Sequence, residues 1–323
     1  VGKNMLTAEL LSQIQPDDLA QAAGLWQGQI LAQVGDTENL VYRCQGEPDF
    51  ALRFVHQSHR NQLQLQAEMA WLGTLNQAGL SVCQPLLSQG DLLIECREMG
   101  GETFWLSAFA WIAGEPVSRN NRQSWSPELL RALGALAAQM HLRASILPEL
   151  LCLARPDWVP SFFQHSQVKL ESAWLWRAVE KAQQALHLLP SDPDRFGLIH
   201  GDIHSGNFLL QAGQPWLFDF DDCHRGWFNQ DLTLIVYYIV GAQNAQDSAF
   251  VAYLTRHLRE GYSAVRPWSE TFETELPLFF HWRDLQLYGF LHTRWRSIAE
   301  MPARAQQAQA DLAERIQNHQ SGF

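Results

Sequence analysis

The chain has 323 residues, 46% of them hydrophobic, and 34 acidic against 23 basic side chains give a formal net charge of −11. That length exceeds the roughly 250–300 residues at which a single core stops growing, so two lobes are expected, and the acidic balance argues against nucleic acid or an anionic membrane as partner. Five dispersed cysteines without a C-x-x-C pair, an N-terminus lacking a basic-then-apolar leader, and a most apolar run (232–240) far shorter than a bilayer span read as a soluble, cytoplasmic protein.

After a polar first thirty residues, "NLVYRC" (39–44), the turn "GEPD" (46–49) and "FALRFV" (50–55) read as a β-hairpin. The following "NQLQLQAEMAWLGTLNQAG" (61–79) is a helix with Leu65, Glu68, Leu72 and Leu75 on one stripe and Gly79 as its stop. Strand signals return at 92–96 and 103–109, which completes a small, mainly antiparallel sheet with one helix. "WIAGEPVS" (111–118) is the crossover. Beyond it Ser126 caps a helix that starts on Pro127 and carries Leu129, Leu133, Leu136 and Met140. The remainder is mostly helical, ending in the polar helix "ARAQQAQADLAERIQ", except for a hairpin over 207–220 in which "NFLL" and "WLFDF" flank "QAGQP". The expected fold class is α+β with two lobes: residues 1–110 an antiparallel-sheet lobe, 111–118 a hinge, and 119–323 a mainly helical lobe.

The chemistry concentrates in "HGDIHSGN", where His200, Asp202 and Asn207 form H-x-D-x-x-x-x-N, followed twelve residues later by Asp219-Phe220-Asp221. Phosphotransferase catalytic loops use this spacing, the aspartate accepting a hydroxyl proton and the asparagine and later aspartate holding magnesium. A hairpin centred on Gly213 puts Asn207 opposite Asp219, two oxygen donors suited to a hard Mg²⁺ ion, and leaves Asp202 on the preceding loop as the base. Only three lysines occur (Lys3, Lys169, Lys181), so a cation that positions phosphate should be an arginine, and Arg53 on an early strand fits. Glu68, a carboxylate on an apolar helix stripe, needs a partner, and Arg53 can supply it. His200, Asp202 and His204 with Cys223 and His224 also suggest zinc, but no second ligand cluster of metal-site spacing supports that.

"HGDIHSGN", "FDFDD" and "QDL", with "LR" on the early strand and the helical "AEMAWL", resemble the aminoglycoside phosphotransferase and choline kinase family, which has a protein-kinase-like fold. The resemblance spans roughly 35–296 and is densest at 199–232. Within it, "DTENLVYRC", "HGDIHSGN" and "FDFDDCHRG" are most similar to the stress response kinase A and homoserine-kinase-like branch. The resemblance implies Asp202 as catalytic base, Asn207 and Asp219 as magnesium ligands, and Arg53 with Glu68 as the phosphate-positioning pair. It also implies an adenine-contacting hinge from Ala110 to Ile112, and His200 and Asp231 as braces of the catalytic loop. No G-x-G-x-x-G loop is present, so "GDTEN" (35–39) would cover the nucleotide, and Asp221 stands where kinases carry glycine and could join the metal site.

The expected activity is transfer of the γ-phosphoryl group of ATP, with Mg²⁺, to a hydroxyl on a small amino alcohol, a sugar or a protein Ser/Thr. The alternative is a nucleotide-binding pseudokinase or scaffold. Trp227 and Phe228 are candidates for lining the acceptor pocket, while His56, His59 and His165 read as solvated.

Overall fold

A computed structural model describes residues 14–36, 38–147, 154–158, 173–244, 247–294 and 301–319. The chain divides into two compact units: unit 1 comprises 1–115, 209–212 and 216–221, and unit 2 comprises 116–208, 213–215 and 222–323.

Unit 1 opens with α1 (Pro16–Gly24), an element not anticipated within the polar N-terminal stretch, and continues into strands β1 (Gln29–Gly35), β2 (Leu40–Gln45) and β3 (Phe50–His56). Helix α2 (Gln62–Gln77) follows, then β4 (Pro85–Leu86), β5 (Glu95–Met99) and β6 (Glu102–Ala110). The strands form one antiparallel sheet in the order β1-β2-β3-β6-β4, with β5 also on β6. β3 is central, and from Leu52 to His56 every side chain is buried, so it reads as a continuous apolar run interrupted by Arg53. Helix α2 begins at a reciprocal capping box: Asn61 Oδ1 accepts from Gln64 N at 2.9 Å and Gln64 Oε1 accepts from Asn61 N at 3.0 Å. Its buried stripe contains Leu65, Leu72, Leu75 and Glu68.

Unit 2 holds helices α3 (Pro127–Ala144), α4 (Ala173–His187), α5 (Phe228–Asn244), α6 (Ser248–Ser263), α7 (Phe272–Arg294) and α8 (Ala303–His319), with short strands β7 (Phe196–Ile199) and β10 (His224–Trp227) paired antiparallel. α3 starts as its sequence dictates, with Pro127 in the first turn and Ser126 Oγ accepting from Leu129 N at 3.3 Å. Its partner is α6, and the approach is backbone to backbone: a Cβ on Gly134 would stand 2.2 Å from the Leu258 carbonyl oxygen, and one on Gly261 1.9 Å from that of Arg131. Among the described residues no helix is long and apolar enough to cross a membrane.

Strands β8 (Phe208–Gln211) and β9 (Gln214–Leu217) pair as the expected hairpin. The turn, however, is the two-residue step Ala212–Gly213, with φ of 51° and 77°. Two successive residues with positive φ match the right-handed strand twist. The hairpin is therefore centred between these residues rather than on Gly213, and Asp219 is not the residue facing Asn207. In unit 1, Leu210 exchanges two backbone bonds with Glu115, and Leu217 bridges to Val82, so residues 209–212 and 216–221 belong to unit 1 although they follow the helical α3 and α4 in sequence.

Candidate active site

In unit 1, Arg53 and Glu68 meet in a forked pair: Arg53 Nη1 donates to Glu68 Oε1 at 2.8 Å and Nη2 to Oε2 at 3.0 Å, with side-chain exposures of 5% and 1%. Burial works against the guanidinium's charge, but Glu68 beside it, with Asp221 and Asp219 further off, raises its pKa instead. The sheet fixes Arg53 between Val41 and Ser107, and the Phe109 ring packs 5.0 Å from its guanidinium carbon. Ala110 ends β6 and Ile112 follows it; the N–H of Ala110 donates to Gln84 O and that of Trp111 to Asp49 O, both at 2.8 Å.

Asp219 lies just past β9, exposed, with φ at 62°. A non-glycine residue in the left-handed region is uncommon, and the fold holds this one there. Asp221, two residues on, is 3% exposed. Its Oδ2 lies 2.6 Å from His59 Nε2 and 3.2 Å from Arg60 Nη2, and the Arg60 guanidinium and His59 outweigh burial to hold the carboxyl far below its usual range. His59 is thus not a solvated residue. Neither is His56, which is 7% exposed between Ser58 and Glu102. His165 lies outside the described residues. Glu38, His59 and Asp221 bring ligand atoms within 4.8 Å of one another, an oxygen-and-nitrogen donor group in unit 1.

In unit 2 the loop after β7 is pinned from below. Asp231, in the first turn of α5 and fully buried, accepts from the backbone N–H of His200 at 2.9 Å and of Gly201 at 2.8 Å, and His141 Nε2 lies 3.2 Å from its Oδ2. Gly201 is required at its position: φ is 81°, and a Cβ would stand 2.6 Å from both Asp222 O and His224 Nδ1. His200 is buried and its Nδ1 accepts from Asp202 N at 3.3 Å.

The Asp202 carboxylate is then met on both oxygens. Asn207 Nδ2 donates to Oδ2 at 3.1 Å and His204 Nε2 lies 3.2 Å from the same atom. Tyr238 Oη donates to Oδ1 at 3.1 Å, and the Arg283 guanidinium of α7 ion-pairs with Oδ1 while also bonding to Tyr238 Oη. Burial opposes ionisation, but Arg283 and His204 hold the carboxyl well below the usual carboxylate range. The same contacts, with Asp222 adding, keep Arg283 charged despite its burial. Asn207 also donates to Asp202 O at 3.0 Å, so its amide nitrogen is committed and its Oδ1 is the atom left for a cation.

Sequence reasoning missed Tyr238 and Arg283, and it gave His204 no part beyond a possible zinc ligand. Tyr238 sits inside the apolar run "LTLIVYYIV" and Arg283 is 81 residues from Asp202, so no local spacing marks either. His204 was visible in the motif, and its bond to Asp202 follows from Gly206 N donating to its Nδ1 at 2.9 Å, which leaves Nε2–H pointing outward. Trp227 and Phe228 do not line a pocket: both are under 5% exposed, Trp227 packed against Trp158 and Phe279, and Phe228 stacked on His141 at 4.4 Å.

Known proteins are similar to this chain in sequence and fold. Residues 30–268 match the model of the phosphotransferase enzyme family. Amicoumacin kinase of Bacillus subtilis (strain 168) is 28% identical over 271 residues, covering 80% of this chain and 79% of the relative. Among solved structures, amicoumacin kinase hAmiN in complex with AMP-PNP, Ca²⁺ and Ami is 25% identical with a TM-score of 0.81, covering 97% of this chain and 96% of that one. A microcompartment-associated aminopropanol kinase, 20% identical with a TM-score of 0.72 over 97% and 96% of the two chains, shares the fold. The chain belongs to the phosphotransferase enzyme family and is an ATP-dependent phosphotransferase with a hydroxyl acceptor.

Proposed function

We propose that the chain phosphorylates a small hydroxyl compound, with Asp202 as the base and magnesium held by Asn207 Oδ1 and the Asp219 carboxylate. The observation that carries this reading is the Asp202 environment. Its carboxylate is kept ionised by Arg283 and His204 on a loop that Asp231 ties down at two backbone N–H groups, so it is charged and fixed in place before substrate arrives. Both proposed ligands offer the oxygen atoms a hard divalent ion requires, and the amide of Asn207 is oriented by its two bonds to Asp202. When bound, magnesium would neutralise charge on the triphosphate.

The residues supply the remainder. Arg53, held and kept charged by Glu68, serves as the phosphate-facing cation of unit 1, and the backbone from Ala110 to Ile112 receives the adenine. Asp202 takes the acceptor's hydroxyl proton as the oxygen bonds to the γ-phosphorus, with His200 and Asp231 as braces. The small-molecule acceptor is supported by the named relatives, which act on amicoumacin and on aminopropanol. Acceptor-dependent ADP release from MgATP across a hydroxyl-compound library tests the reading. The Asp202→Asn variant should bind MgATP yet lose about 10²- to 10⁴-fold in kcat; full kcat in that variant refutes it.

A further inference from the structure

Asp202 has no spare acceptor capacity. A carboxylate offers about four lone-pair directions, and in unit 2 four donors fill them: Tyr238 and Arg283 on Oδ1, Asn207 and His204 on Oδ2. A hydroxyl that is to give its proton to this group must displace one of them. Asn207 and His204 belong to the same loop as Asp202, and Asn207 N donates to His204 O at 2.8 Å, so the Oδ2 side is locked by local chain geometry. The Oδ1 side is held by side chains from α5 and α7, far away in sequence. Arg283 is the charged one. Tyr238 Oη, and Gln286 Oε1 at 3.5 Å, also accept from its fork, but the contact it would give up at Oδ1 is the charged one, and a largely buried guanidinium that leaves a carboxylate is stabilised by another oxygen in its place.

The surroundings say what that oxygen belongs to. Arg283 and Arg119 both stand against the Tyr238 ring, their guanidinium carbons 5.3 Å and 5.9 Å from its centroid, and Arg119 is exposed. Asp284, next to Arg283 on α7, is occupied by Arg315 at 2.7 Å and Tyr237 at 2.6 Å, so it does not neutralise Arg283. Arg283 and its neighbour keep side-chain contact with solvent, at 11% and 16% exposure for Arg283 and Asp202.

We propose that Arg283 is a specificity-determining residue that vacates Asp202 Oδ1 by transferring to a carbonyl oxygen of the acceptor, a carboxylate or carboxamide a few bonds from the hydroxyl to be phosphorylated. The proposal rests on the phosphotransferase reading and names the acceptor's chemistry. In the step it prepares, the hydroxyl proton passes to Asp202, the acceptor oxygen bonds to the γ-phosphorus, the bond from that phosphorus to the β,γ-bridging oxygen breaks, and ADP leaves; Arg283 is unchanged.

The test uses two matched series, serine, serinamide and ethanolamine, and threonine, threoninamide and 1-aminopropan-2-ol, whose members differ only in the carbonyl group. Binding to the full chain is measured by calorimetry with a non-hydrolysable ATP analogue and Mg²⁺, and turnover by ADP release. The wild type should favour the carbonyl-bearing members at least tenfold in Kd, with any turnover showing the same preference in KM rather than kcat. Arg283→Met should erase the preference, and Arg283→Lys, a single ammonium without the fork, should lower it several-fold. A carboxylate preferred over the amide identifies an acid; equal binding identifies the shared carbonyl oxygen. Failure of every carbonyl-bearing member to bind, equal affinity for the alkanolamines, or an undiminished preference in Arg283→Met overturns the proposal. If Arg283→Met does not fold, the lysine variant decides, and an unchanged preference there overturns it. ATP consumption with any other hydroxyl compound leaves the phosphotransferase reading intact whichever way these results fall.

Discussion

A guanidinium inside a β-sheet persists only where a carboxylate meets it with good geometry, and Glu68 meets Arg53 with two bonds in a site almost closed to water. Removing one partner alone strands the other. Glu68→Ala should therefore lower stability by about 3–5 kcal/mol, read as a shift in the denaturant midpoint, whereas Arg53→Met combined with Glu68→Leu should recover most of that loss. If Arg53 positions phosphate as proposed, the double variant should still fail to turn over ATP; a stable double variant with normal KM for ATP would show that the pair is architectural only. This pairing was legible in the sequence because Glu68 sat on an apolar stripe, where an unpaired carboxylate is unaffordable. The partners of Asp202 Oδ1 were not, since Tyr238 and Arg283 reach it only after α5 and α7 have packed.

At the scale of elements, the glycines between α3 and α6 decide how closely those helices approach. In an isolated helix Gly→Ala gains about 1 kcal/mol of propensity. Here the added methyl at Gly261 would stand 1.9 Å from the Arg131 carbonyl, so the backbones must separate. Gly261→Ala should destabilise the protein by about 1–3 kcal/mol despite the better propensity, measured by thermal or chemical unfolding; a rise in stability would mean the helices are free to shift. The helices over 62–77 and 127–144, the Ser126 cap and the β2–β3 hairpin could be read from periodicity and punctuation. The hairpin centre could not, because whether Gly213 turns alone or with Ala212 depends on the twist of the strands it joins. Nor could α1, whose apolar face is short and whose buried Ala22 and Ala23 leave little periodic signal.

At the scale of the molecule, the buried titratable groups set how stability responds to acid. His141 and His224 are both held below the usual imidazole range, each chiefly by burial, with Arg266 opposing the charge on the first and Arg155 on the second. His224 is also committed as the neutral ring, since Nδ1 lies 2.8 Å from Asp222 O and so donates, while Nε2 at 3.2 Å from Gln230 Nε2 must accept. The folded protein thus binds fewer protons than the unfolded chain once pH drops below about 6.5, the free imidazole value. The sign follows: stability is fully present above that pH and declines as pH falls from there toward the depressed folded values, by at most about 1.4 kcal/mol per pH unit for each histidine. Asp202 and Asp231, whose folded values are also depressed, add their own loss only below about pH 4, as the unfolded carboxylates take up protons first. Thermal melts from pH 8 to pH 5.5 should therefore fall through the imidazole window in the wild type. In His141→Gln, which retains polar contact beside Asp231 without a titrating ring, the same decline should be shallower; identical slopes in the two proteins would show that His141 is not among the groups responsible.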